Sequence, residues 1–154
     1  MVHSDLKRAE TKYDAAQGVS KSGICSKSGC REKERRTSMI RHEQTQYREH
    51  MRDGRGTVTI HEILTKEELD GHGRLYARMV LPPGASIGWH VHEGETEPFY
   101  ILKGEATFLG NDRIPEKAHP GDVCLIEPGE GHSIENNTDS DVELMALIYH
   151  KAGK

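Results

Sequence analysis

From residue 57 onward, apolar residues come in short runs broken by turn residues. Residues 57–64 (Thr-Val-Thr-Ile-His-Glu-Ile-Leu) are rich in β-branched side chains and predict a strand. Thr65 and Glu68 have the spacing of a capping box, which predicts about one helical turn before Gly71 and Gly73. Residues 75–81 predict a second strand, closed by Pro82-Pro83-Gly84. Further strands are predicted over 87–92, 98–103, 106–109, 123–126, 132–135 and 142–149. The breaks between them include Gly104, Gly110-Asn111-Asp112, Pro120-Gly121, Pro128-Gly129 and Asn136-Asn137. Many short strands at close spacing, with no heptad pattern and no long helical period, predict an all-β sandwich or barrel.

Before residue 57 the pattern fails. Residues 39–56 are polar, a helical or extended lead-in broken by Gly54 and Gly56. Residues 1–38 carry only scattered apolar positions (Val2, Leu6, Tyr13, Val19, Ile24), too few to offset the entropy of ordering them. That segment is expected to be a disordered basic tail, with the compact domain over 57–154. Charge divides the same way. Residues 1–38 hold 9 Lys+Arg against 5 Asp+Glu, whereas residues 39–154 hold 12 against 20. Met39 offers a second start, which would place the tail outside the native protein.

Composition narrows the function classes. The 154 residues suit one domain with a real core, and the net charge of −4 carries no nucleic-acid footprint. No apolar run approaches the length of a membrane span, and the first residues lack the apolar stretch of a signal peptide, so a cytoplasmic protein without membrane contact is expected. Three cysteines make no disulfide framework. Cys25 and Cys30 lack a second pair to complete a zinc site, and Cys124 is expected to pack as a small hydrophobe.

The candidate chemistry lies in four residues. His90 and His92 are two apart, so on a strand both imidazoles share a face. Glu97 follows a turn-rich stretch, and its parity is that of Phe99 and Ile101; His132 arrives after Pro128-Gly129. Three imidazoles and one carboxylate form a donor set that first-row divalent metals favour. Phe99 has the parity to line a pocket beside the metal, and Glu95 is a candidate pocket or supporting carboxylate. Trp89, of opposite parity to His90, is expected to face outward, against the other sheet or a partner subunit.

The spacing Gly84, His90, His92, Glu97, Gly104, followed by Gly121, Gly129, His132, Asn136, resembles the two signature motifs of the cupin superfamily over roughly residues 57–150. One position departs: Glu127 stands where the family usually has proline, with Pro128 directly after it. The resemblance implies a cupin β-barrel, a jelly-roll-like double sheet. It also implies one divalent ion (Mn, Fe, Ni, Cu or Zn) held by His90, His92, Glu97 and His132. The presence of Glu97 argues against the metal-free epimerase branch. A homodimer is the implied assembly.

Two functions follow. One is a metal-dependent enzyme acting on a small carboxylate or hydroxy-carbonyl compound by Lewis-acid or dioxygen chemistry. The other is a non-catalytic ligand-binding, metal-binding or sensor protein. No residue outside the four ligands is marked in the sequence as acid or base.

Overall fold

In the computed structural model, which describes residues 39–151, ten strands form two antiparallel sheets and helix is almost absent. The strands are β1 (Gln44–Glu49), β2 (Thr57–Leu64), β3 (Gly73–Leu81), β4 (Ser86–Val91), β5 (Glu95–Lys103), β6 (Ala106–Leu109), β7 (Pro115–Ala118), β8 (Val123–Ile126), β9 (Gly131–Glu135) and β10 (Val142–His150). One sheet has six strands in the order β1-β2-β3-β10-β5-β8, and the other has four in the order β4-β9-β6-β7. The expected all-β double sheet is therefore present. The expected tail lies outside the described residues.

Alternation in the sequence becomes alternation in burial. Along β10, Val142, Leu144, Ala146 and Ile148 are buried while their neighbours are half-buried. Inward residues of both sheets meet in one core that includes Ile60, Met79, Leu81, Ile87, Phe99, Ile101, Ile134 and Leu144. Burial of this kind is the main stabilising term, roughly 1.5–3 kcal/mol for each large aliphatic or aromatic side chain.

The turns explain two motif positions. Asn136 is fully buried, and its amide donates to the carbonyls of Leu81 (2.8 Å) and Ser140 (2.7 Å). Its side-chain oxygen accepts from the Thr138 amide at 3.0 Å. One side chain thus ties the end of β9 to β3 and to the following turn. Gly104 has φ of +81°, and a Cβ there would lie 2.7 Å from the Asp141 carbonyl oxygen, so both conformation and space require glycine.

Three local features differ from expectation or refine it. The Thr65–Glu68 capping box forms reciprocally, with the Thr65 amide donating to Glu68 (3.0 Å) and the Glu68 amide to Thr65 Oγ1 (3.3 Å). It closes a single turn. β7 has the unpromising sequence Pro-Glu-Lys-Ala, but its first residue is the proline and it lies at a sheet edge, the place a strand tolerates one. The polar stretch 39–56 contains β1, paired to β2 over its whole length, and a 3-10 turn (Met51–Asp53).

Candidate metal centre

The four sequence-marked residues come from both sheets. His90 on β4 stands directly opposite His132 on β9. His92 lies one residue past the end of β4, and Glu97 is on β5 of the other sheet. Between Ile87 and His90 the register shifts: Ile87 pairs with Ile134 while His90 pairs with His132, so three steps on β4 match two on β9. The extra residue is a β-bulge at Gly88-Trp89. It lets Ile87 enter the core while His90, three positions on, still reaches the site.

Donor atoms converge. His92 Nε2 lies 3.2 Å from His90 Nε2, 3.1 Å from His132 Nε2 and 2.9 Å from Glu97 Oε2. His132 Nε2 lies 3.0 Å from the same carboxylate oxygen. The whole set fits within 4.8 Å. Adjacent ligands of an octahedral ion with bonds of about 2.1 Å are about 3 Å apart, and a tetrahedral set would be wider, about 3.4 Å. The measured spacings match the octahedral edge. His92, His132 and Glu97 are buried, and Glu97 Oε2 has no hydrogen-bond partner of proper direction despite its close neighbours. A buried carboxylate oxygen without a donor is costly unless a cation satisfies it. The residues therefore fit a metal ion.

Supporting contacts fix the rings. His90 Nδ1 lies 2.9 Å from the Gly88 carbonyl, to which it donates, leaving Nε2 free as a ligand. Phe99 and Phe108 pack on His132 with ring centroids 5.2 and 5.9 Å away. Behind His92, Glu95 Oε2 stands 3.6 Å from Nδ1, beyond direct hydrogen-bond distance. The other oxygen of Glu95 accepts from Arg74 Nε at 2.6 Å. That bond holds the Glu95 carboxyl below its ordinary range and raises Arg74.

Burial sets the protonation states. It pushes the His90 imidazole down to about 4, so the ring is neutral and available as a ligand at neutral pH. Burial alone would raise Glu97, but the imidazoles of His132 and His92 beside it outweigh that and hold it low.

A cavity of about 270 Å³ opens onto His90 and Glu97. Phe99 is among its lining residues. Glu95 is not; it lies behind His92 instead. Trp89 is half-buried and packs over Gly131 of the adjacent strand, with the Arg113 guanidinium 3.8 Å above its ring. The remaining wall includes Gln46, Arg48, Met51, Arg52, Glu62 and Arg74. None of these was legible as a site residue. Four lie in or beside the polar stretch before residue 57, and only tertiary structure brings them to the ligands.

Comparison with known proteins agrees with this geometry. The family model described as "Cupin domain" matches residues 77–148. An oxalate-binding protein of Thermotoga maritima is 50% identical over 99 residues, covering 64% of this chain and 80% of the relative. A crystal structure from Thermotoga maritima, described as a predicted oxalate decarboxylase, superposes with a TM-score of 0.69 at 41% identity, covering 74% of this chain and all of that one. A Klebsiella pneumoniae protein with a double-stranded β-helix domain superposes at 0.52 with 20% identity, over 61% of this chain and 78% of that one, and shares the fold alone.

Proposed function

The chain belongs to the cupin family, and we propose that it holds one divalent transition-metal ion on His90, His92, Glu97 and His132 and acts there on a small carboxylate. Oxalate is the first candidate. The observation that carries this reading is the buried set of three imidazole nitrogens and one carboxylate oxygen at octahedral-edge spacing. Mn, Fe, Ni, Cu and Zn all suit the donor set.

An ion held by these four side chains would keep room for a substrate and would supply Lewis-acid polarisation of the oxygens placed there. The cavity, about 270 Å³, lies below the usual range for drug-sized ligands of about 300–1,000 Å³, which favours a molecule of few atoms. The 50% identical relative described as oxalate-binding supports the same size and charge.

Conversion of oxalate to formate and carbon dioxide breaks the carbon–carbon bond and consumes one proton, which must be delivered to the carbon that becomes formate. Glu62 is the carboxyl group on the cavity wall that stands outside the ligand set, and it is the proton donor in this reading. A homodimer in the cytoplasm, with no nucleic-acid or membrane partner, completes the proposal.

The test is turnover of carbon-13 oxalate by metal-loaded protein, followed by NMR. Formate and carbon dioxide are expected from the wild type. Glu62→Gln is expected to lower the rate at least tenfold while oxalate still binds. Oxalate binding with no product from the wild type would establish the alternative, a non-catalytic oxalate-binding or sensor protein, a role consistent with the name of the oxalate-binding relative. Absence of oxalate binding by the metal-loaded protein would sink both.

A further inference from the structure

We infer that residues 46–52 form an anion clamp over the metal site, in which Arg48 and Arg52 bind the carboxylate oxygens that the ligand turns away from the metal. This rests on the proposed function and adds to it the selection of dianions over monoanions.

The first observation is the inner face of β1. In register, Gln46 stands opposite Ile60 and Arg48 opposite Val58. Directly opposed residues project from the same face. Val58 and Ile60 are buried in the core, so Gln46 and Arg48 lie on that same face of the sheet, Gln46 half-buried and Arg48 exposed at the cavity's mouth. A barrel strand normally fills its inward positions with apolar side chains. Here they line the cavity, and β1 supplies no core residue.

The second observation is how the following turn is held. His50, Arg52 and Asp53 all adopt left-handed backbone angles, φ of 48°, 55° and 60°. Side-chain-bearing residues rarely do so unless the surroundings impose it. The imposition is visible. Arg55 N donates to Ser86 Oγ at 2.8 Å, and Ser86 N donates to the Arg55 carbonyl at 2.9 Å. Gly88 sits so close that a Cβ there would be 2.0 Å from the Arg52 carbonyl oxygen. The turn carrying Arg52 is thus fastened to β4 two residues from His90.

The third observation is charge. Arg48 donates to the Gln46 side chain at 2.9 Å, which orients its guanidinium without neutralising it. Neither Arg48 nor Arg52 has a carboxylate partner among the described residues, whereas Arg74 on the same wall is engaged by Glu95. Glu62 and Glu97 are the acidic groups of the wall, and Glu97 belongs to the ligand set. Two unpaired guanidinium groups at a small cavity beside a divalent ion suit an anion with more than one negative charge, because the planar fork of arginine matches carboxylate geometry. Both residues lie outside the 77–148 segment matched by the family model.

The test uses calorimetric titration of the full chain, loaded with Mn(II), against oxalate and against glycolate as the monoanion. Metal content is measured in parallel. The wild type is expected to bind oxalate at least tenfold more tightly than glycolate. The double variant R48Q/R52Q is expected to lose at least tenfold in oxalate affinity and less than threefold for glycolate, with unchanged metal content. R48K/R52K, which keeps charge but not the fork, is expected to fall between. The exposed K66Q removes one positive charge away from the cavity and is expected to change nothing. Oxalate affinity within twofold of wild type in R48Q/R52Q would overturn the clamp and leave the proposed function standing. Failure of the metal-loaded wild type to bind oxalate would overturn both.

Discussion

His90 shows how a single residue is prepared for its role. The bulge at Gly88-Trp89 aims its ring, the Gly88 carbonyl fixes its tautomer, and burial lowers its affinity for a proton to about 4. That last property has a consequence for metal-free protein. Between the ordinary histidine value near 6.5 and about 4, the unfolded chain binds a proton at this position that the folded chain does not. Stability therefore rises with pH across this window: it is full above about 6.5 and falls as the pH drops towards 4. Urea titrations of chelator-treated protein at pH 7 and pH 5 are expected to show lower stability at pH 5. In His90→Gln that difference is expected to shrink, and an unchanged pH dependence would contradict the assignment. Glu95 has the same sign of dependence lower down. Arg74 holds its pKa below the usual carboxylate range, so the stability from this pair is present above about pH 4.5 and is lost as pH falls through the lowered value.

At the scale of elements, close backbone contact joins the 3-10 turn to β4. Gly54 and Gly88 face each other, and a Cβ on Gly54 would lie 2.1 Å from the Ser86 carbonyl oxygen. Gly88→Ala is expected to destabilise the fold by about 1–3 kcal/mol, read as a lower urea midpoint with an unchanged slope. It should also weaken oxalate binding by displacing Arg52. The same region marks the limit of sequence reading. Strands such as β2, β5 and β10 were legible because one face meets the core, so their apolar positions alternate or cluster. The four ligands were legible because His90, His92 and Glu97 lie close in sequence and His132 follows a recognisable turn. β1 was not legible, since the positions it turns to the cavity are Gln46 and Arg48, which leave no apolar alternation to detect. β7 was hidden by its edge location, where proline and charged residues are tolerated. Gly54 and Gly56 looked like breakers of a lead-in; Gly54 is a contact surface. The strained backbone at His50, Arg52 and Asp53 has no sequence signal at all, because it is imposed by β4.

For the whole molecule, the two sheets divide the labour. The four-stranded sheet supplies three of the ligands, at or just beyond the ends of its strands, and the six-stranded sheet supplies Glu97 and much of the cavity wall. The edge of the larger sheet leaves Tyr100, Leu102, Val123 and Leu125 exposed on paired strands β5 and β8. Exposed apolar residues grouped in this way are where a second copy of the chain is expected to pack. Sedimentation at micromolar concentration is expected to give twice the 17.3 kDa chain mass, and Val123→Asp with Leu125→Asp is expected to reduce it to the monomer. A monomeric wild type would reject the dimer without touching the site.

Whether the four side chains hold a metal decides the rest, and elemental analysis of protein purified without a metal-affinity step answers it. About one divalent transition-metal ion per wild-type chain is expected, with a large loss in His90→Ala, whose ring is only half-buried and whose removal leaves the core intact. A wild type that stays empty when offered Mn, Fe, Ni, Cu and Zn in turn, or a His90→Ala variant that binds as much as the wild type, would contradict it.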